Sequence, residues 1–140
     1  MLETTVPLDD RSLIDWAVFA RARGELGAGF VRILGYFRED GVKSVAAIEA
    51  AMRAQNAAAL VIPAHTLKGE ARQFGAEPLG ELAEKIEIVA RDCVESHDTP
   101  DQAMADVAAL RGLFGRTLAI LEAEANPVVP RRQGFGRRIG

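Results

Sequence analysis

The sequence from Ala64 to Ala76 reads AHTLKGEARQFGA, and this stretch decides the fold. A helix through it, at about 100° per residue, separates apolar from polar side chains. The apolar side carries Leu60, Ala64, Leu67, Ala71 and Phe74. The opposite side carries an imidazole, two cations and a glycine, which are His65, Lys68, Arg72 and Gly69. The apolar side predicts a helix packed into a bundle core, and the polar side predicts a functional surface.

Gly69 lies in the middle of this predicted helix. Glycine in a helix interior costs about 1 kcal/mol relative to alanine, so a purely structural helix has little reason to keep it. A helix that a second protein must approach closely does have a reason, because glycine leaves room beside the neighbouring His65. Gly69 is therefore a candidate docking residue.

The same stretch resembles the active helix of histidine-containing phosphotransfer (HPt) domains. The family pattern is a His, then Leu-Lys-Gly, a small residue, an apolar-Gly-Ala step and a second amphipathic helix. This chain matches the pattern at His65, Leu67, Lys68, Gly69, Ala71, Phe74, Gly75, Ala76 and then 79–87. A lone histidine on a helix is more often structural, but the whole set at this spacing favours an HPt domain. The resemblance runs from about residue 8 to residue 124.

The resemblance implies that His65 accepts a phosphoryl group. A neutral imidazole has a ring nitrogen with a lone pair, and histidine as a residue type titrates near neutral pH. We expect Nε2 to be the nucleophile and Nδ1 to carry the proton. Relatives place an orienting Gln or Glu on the next antiparallel helix, and Glu87 is the candidate here. Lys68, one turn after His65, is expected to hold the phosphoryl oxygens.

Two further residues are expected on the docking surface with Gly69. Arg72 follows it on the same side of the helix and adds positive charge. Glu84 lies one turn before Glu87 and is expected to extend the polar network.

The chain contains no glycine-rich ATP-binding sequence, no Walker loop and no cluster of aspartates at metal-site spacing around His65. We therefore expect no cofactor of its own. The resemblance implies that the Mg²⁺ that phosphoryl transfer generally needs is held by a partner receiver domain. The resemblance implies receiver domains of response regulators, a hybrid histidine kinase, or both as partners. The chain would then be no enzyme. It would carry phosphate from one receiver's aspartyl phosphate to another receiver, with catalysis supplied by the receivers.

The composition indicates where in the cell the protein is expected and which class of partner it is not expected to bind. A single cysteine, Cys93, excludes an internal disulfide and fits a reducing compartment. The start lacks a signal peptide, and no apolar run is long enough to span a bilayer, so we expect a cytoplasmic monomer without membrane contact. The net charge is −3, yet the last fifteen residues carry four arginines and no acid, so the rest carries −7. An acidic body argues against nucleic acid as the main partner.

The predicted fold is all-α, an antiparallel up-down four-helix bundle over residues 1–125 with a short N-terminal lid helix. Residues 126–140 lack periodicity and are predicted to be a disordered basic tail. The lid helix is expected to start after an N-cap at Asp9, Asp10 or Ser12 and to end at Gly24, with Leu13, Trp16, Ala17 and Ala20 inward. The next helix is expected to run through Gly41 as one long helix, straight or bent there, and the alternative is two helices broken at Asp40-Gly41. Pro63 predicts either a kink before His65 or a helix that starts there.

Two alternatives remain open. One is an HPt-derived scaffold that binds receiver or kinase domains, as an inhibitor for example, without relaying phosphate. The other is an enzyme that uses His65 as a general base or in a metal site. Only His97 supplies a second imidazole, and it is predicted to lie in a separate loop, which disfavours a metal site.

Overall fold

The computed structural model describes residues 10–125, and every regular element within them is helical. Five α-helices lie wholly within the described residues: α1 (Trp16–Leu26), α2 (Phe30–Arg53), α3 (Ala57–Gln73), α4 (Glu77–Ser96) and α5 (Met104–Ala125). Short 3-10 turns, Gly27–Gly29 and Asp101–Ala103, precede α2 and α5. The predicted basic tail, 126–140, lies outside the described residues.

Helices α2 to α5 form a four-helix bundle. Each packs against its neighbour in sequence, and α5 closes the ring against α2. Residues 54–56 join α2 to α3, and residues 74–76 join α3 to α4, so the chain reverses direction at each link. The Asn56 side chain accepts the Ala59 amide at 3.1 Å and caps the start of α3. The predicted all-α, up-down four-helix bundle is confirmed.

The short helix α1 lies across the end of the bundle where α3 turns into α4. The Asp15 amide donates to the Gly75 carbonyl at 2.7 Å. Gly75 has a φ of +82°, and a side chain there would overlap the Asp15 carbonyl. Gly75 therefore ends α3 and also admits α1, and the predicted N-terminal lid helix is confirmed.

The bounds of α1 differ from those predicted. The Asp15 carboxylate accepts the Ala17 and Val18 amides, so the helix starts at Trp16. It continues through Gly24 to Leu26 and ends at Gly27, whose φ is +54°. Gly24 does not end it because its backbone has no positive φ.

The inward face of α1 is also different, because Phe19 and Ala22 are buried while Ala17 and Ala20 are exposed. Burying Phe19 removes more apolar surface from water than burying two alanines. A series of aromatic contacts, with centroids 5.2–5.7 Å apart, links Trp16, Phe19, Phe30, Phe74, Phe37 and Phe114 in that order.

Helix α2 runs unbroken through Gly41, as predicted. A Cβ at Gly41 would overlap the Phe114 ring of α5, so the glycine lets that ring pack against the α2 backbone. Helix α3 likewise continues through Pro63, and the residues of its predicted apolar side are fully buried. In the described part of the chain, no helix has the length and hydropathy needed to cross a membrane.

Candidate functional site

His65 lies in the middle of α3 on the side turned away from the core. Its side chain is 57% exposed, whereas the preceding Ala64 is fully buried. The ring Nδ1 lies 3.0 Å from the Oε2 atom of Glu87 on α4. The antiparallel packing of the two helices brings these residues together, because the turn at 74–76 lies about midway between them. The predicted pairing of His65 with Glu87 is present.

Glu87 is the centre of an ion cluster made of His65, Lys68, Glu87 and Arg91. Its side chain is only 6% exposed, which is unusual for a carboxylate. Lys68 Nζ lies 2.9 Å from Oε1. Arg91, one turn further along α4, places Nε at 2.9 Å and Nη2 at 2.8 Å from Oε2, the atom that His65 also contacts. Buried charges occur where partners of this kind surround them.

These partners decide the ionisation of Glu87. Burial alone would raise the pKa of its carboxyl group, but the ion pair with Lys68 and the hydrogen bonds with Arg91 and His65 outweigh burial and lower that pKa to about 2. An ionised carboxylate can only accept hydrogen bonds. The contact therefore favours a hydrogen on Nδ1 of His65 and leaves the lone pair of the neutral ring on Nε2.

The surface next to His65 is open. A Cβ built at Gly69 would meet no atom within 4 Å outside its own helix backbone. Beyond it on α3, Arg72 turns to α4 and places Nη2 at 3.0 Å from Oε1 of Glu84. Arg72 and Glu84 thus pair with each other at the rim of this surface, and neither joins the ion cluster.

On the other side of His65 lies a groove of about 510 Å³ between the start of α3 and the end of α4. Its lining is Ala58, Val61, Arg91, Val94 and Glu95. Ile62 on α3 and Val94 on α4 are 69% and 43% exposed. This side of the surface therefore presents exposed apolar side chains together with Arg91 and Glu95, whereas the Arg72 side presents an ion pair.

Comparison with known proteins now decides the family. The family model described as Hpt domain matches residues 32–123 of the sequence. This match covers more than half of the chain and includes His65, Glu87 and Arg91. The chain belongs to the Hpt domain family.

The fold is similar to the crystal structure of histidine-containing phosphotransfer protein B (HptB) from Pseudomonas aeruginosa PAO1. The TM-score is 0.72, and the match covers 82% of this chain and 96% of that one. Sequence identity is 22%, so this likeness supports the fold alone. No curated protein sequence matches the chain significantly.

Hpt domains carry phosphoryl groups in two-component signalling, where they interact with receiver domains and histidine kinases. The chain is accordingly a phosphotransfer intermediate of such signalling. In residues 10–125 no group of three or more His, Cys, Asp or Glu side chains is arranged to hold a metal ion.

Two features of this Hpt site were not foreseen from the sequence. Lys68 is 22% exposed and forms an ion pair with Glu87, a contact that the sequence does not predict. Arg91 was not singled out, although Glu87 and Arg91 have the i, i+4 spacing of helix ion pairs. That spacing was the available signal, and it is weak because exposed pairs of this kind are common.

Proposed function

We propose that the chain is a relay intermediate, which accepts a phosphoryl group on His65 from the aspartyl phosphate of one receiver domain and passes it to another receiver. The observation that carries the proposal is an exposed imidazole whose Nδ1 is held at 3.0 Å by a buried carboxylate. Membership of the Hpt family supports it independently.

The proposed step is a simple exchange of bonds. The Nε2 lone pair of His65 attacks the phosphorus of the acyl phosphate, and an N–P bond forms while the P–O bond to the receiver aspartate breaks. The aspartate leaves as a carboxylate. The imidazole keeps its Nδ1 proton and becomes cationic, so the ionised Glu87 beside it favours the product ring electrostatically. Transfer to the second receiver reverses the same steps.

Lys68 and Arg91 are proposed to balance charge during this step. Glu87 contributes one negative charge, and the two cations contribute two positive charges, so the cluster has spare positive charge for phosphoryl oxygens. Lys68 and Arg91 keep N–H groups that are not needed by Glu87. Mg²⁺, which phosphoryl transfer generally requires, is proposed to come with the receiver.

Docking is proposed to use the open surface around Gly69 with Arg72 and Glu84 at its rim. We also propose that the carrier is cytoplasmic, since receivers that hold aspartyl phosphate would have to meet His65 there. The carrier is proposed to be a monomer. The proposed domain organisation is a bundle over residues 1–125, followed by a basic tail.

The alternative scaffold would bind receivers without taking phosphate. The ion cluster argues against it, because docking alone does not require a buried carboxylate on Nδ1. An enzyme with a second imidazole is less well supported still. His97 caps the far end of α4, ten residues beyond Glu87, which is about 15 Å along the helix axis.

The test is a transfer assay with receiver domains from the source genome, each phosphorylated with radiolabelled acetyl phosphate. We expect acid-labile label on the parent protein, its onward transfer to a second receiver, and no label on His65→Gln. The variant should melt at the parent's temperature because His65 faces solvent. Labelling of the variant, or binding of receivers by an unlabelled parent, would overturn the relay.

A further inference from the structure

Gly80 lies in the second turn of α4, where it is buried against α3. Glycine inside a helix is less favourable than alanine, so its presence needs a cause. A Cβ at Gly80 would lie 2.9 Å from Cγ and 3.1 Å from Nε of Arg72. Non-bonded carbon atoms do not approach so closely without repulsion. The Arg72 side chain therefore occupies the space that a residue larger than glycine would need.

Arg72 crosses from α3 and lies lengthwise along α4 over this gap. Its Nε is 3.5 Å from Oε1 of Glu77, and its Nη2 is 3.0 Å from Oε1 of Glu84. Glu77 and Glu84 are about two helical turns apart on α4, with Gly80 between them. The guanidinium group is thus held from both directions by carboxylates, and the stem lies against the helix backbone.

The path of Arg72 matters for the surface beside His65. His65, Gly69 and Arg72 share one side of α3 at i, i+4 and i+7. No side chain covers Gly69. The long arginine stem is able to lie over a neighbouring turn of its own helix if nothing holds it elsewhere.

We infer that Gly80 is a positioning residue, which seats Arg72 along α4 and so keeps the surface over Gly69 open for the receiver. The effect on the receiver rests on the proposed function. The seating of Arg72 by Gly80 does not, and it is measurable without any partner.

The kinetic test uses Gly80→Ala, Arg72→Ala and the double variant with a receiver phosphorylated by acetyl phosphate. Gly80→Ala is expected to raise the half-saturating receiver concentration by roughly tenfold, about 1.4 kcal/mol of binding free energy, with the maximal transfer rate retained. In the Arg72→Ala background the same change should have no further effect. Gly115→Ala is the matched control, because a Cβ there meets nothing within 4 Å and α5 lies apart from the site.

A partner-independent test uses the melting temperatures of the same proteins. Gly80→Ala should stabilise the chain in the Arg72→Ala background, where only helix propensity changes, and should stabilise it less or destabilise it in the parent. Gly115→Ala should stabilise both backgrounds alike.

Equal melting shifts for Gly80→Ala in the two backgrounds would overturn the seating. The role in docking would be overturned if Gly80→Ala changed the half-saturating receiver concentration equally in the parent and in Arg72→Ala, or did not change it in the parent. A parent that no receiver labels would overturn the proposed function and with it the docking role, while the melting temperatures still decide the seating.

Discussion

Two interfaces between helices carry ion pairs of very different kinds. Between α2 and α5, Arg111 forms a two-pronged pair with Glu49 at 2.6 and 2.9 Å, and Arg38 forms another with Glu122. The arginines there are 56–60% exposed. Between α3 and α4, the single carboxylate of Glu87 is 6% exposed and contacts three residues.

The difference shows what each interface is for. Exposed pairs hold their geometry in water, where attraction is screened, so they contribute little to stability. A buried carboxylate loses its hydration, and its partners must offset that cost. Joining two helices does not require such an arrangement. The α3–α4 cluster is explained if it serves His65, whereas the α2–α5 pairs need no purpose beyond the fold.

The largest effect is expected from Glu87→Ala, which removes the centre of the buried cluster. Transfer should slow by roughly tenfold, about 1.4 kcal/mol of barrier, because Nδ1 loses its acceptor. Glu87→Gln should slow transfer less than Glu87→Ala, since the amide oxygen still accepts from Nδ1 although the negative charge that favours the cationic ring is lost. Single-turnover transfer from a phosphorylated receiver measures both variants. Equal rates for parent and Ala variant would make Glu87 an ordinary structural residue.

A smaller effect is expected from Lys68→Ala, which removes one of the two cations on Glu87. Transfer should slow less than in Glu87→Ala, because Arg91 remains at 2.8 Å to support the carboxylate. The melting temperature should fall modestly, because Arg91 and His65 still offset part of the cost of burying the carboxylate. The reverse result, normal transfer with a large fall in melting temperature, would assign Lys68 to the fold.

The free energy of unfolding should depend on pH through the ionisation of Glu87. The carboxyl group of Glu87 has a pKa of about 2 in the folded chain, below its ordinary value of 4.5. The stability it contributes is therefore fully present above pH 4.5 and is lost as the pH falls toward 2. The parent should lose stability relative to Glu87→Gln across this window in urea unfolding. A difference that stays constant with pH would contradict the assigned ionisation.

The smallest effect is expected from Glu49→Ala at the α2–α5 interface. This change breaks a pair whose 2.6 Å contact is shorter than any contact in the cluster, yet the partner Arg111 is 60% exposed. Transfer should be unchanged, and the melting temperature should fall less than in Glu87→Ala. A loss of transfer here would show that bundle stability, and not the cluster, controls the rate.

Much of this could be predicted from the sequence, because periodicity determines which side of a helix is buried. Leu60, Leu67 and Phe74 recur at helical spacing, and all three are fully buried. Periodicity also places Glu87 next to the buried stripe of α4, where its side chain can reach α3. The family pattern supplied the pairing of Glu87 with His65, which periodicity alone does not.

The features that the sequence does not predict depend on the conformations of long side chains. Lys68 and Arg72 both lie on the His65 side of α3. Periodicity does not predict that each side chain contacts a carboxylate on α4. The sequence around Gly80 does not show why a glycine is there, because the reason is the Arg72 side chain, which comes from another helix. Helix α1 starts later than the candidate caps Asp9, Asp10 and Ser12 predict, because Asp15 caps it, and only the backbone shows which residue does so.

The central claim is that Glu87 holds the Nδ1 proton of His65 so that Nε2 takes the phosphoryl group. Nitrogen NMR of the imidazole before phosphorylation, and phosphorus-coupled spectra after it, test this directly. The account predicts an Nδ1-protonated ring in the parent, a loss of that tautomer in Glu87→Ala, and an N–P bond at Nε2. A phosphoryl group on Nδ1, or a parent ring already mixed in tautomer and unchanged by the substitution, would contradict it.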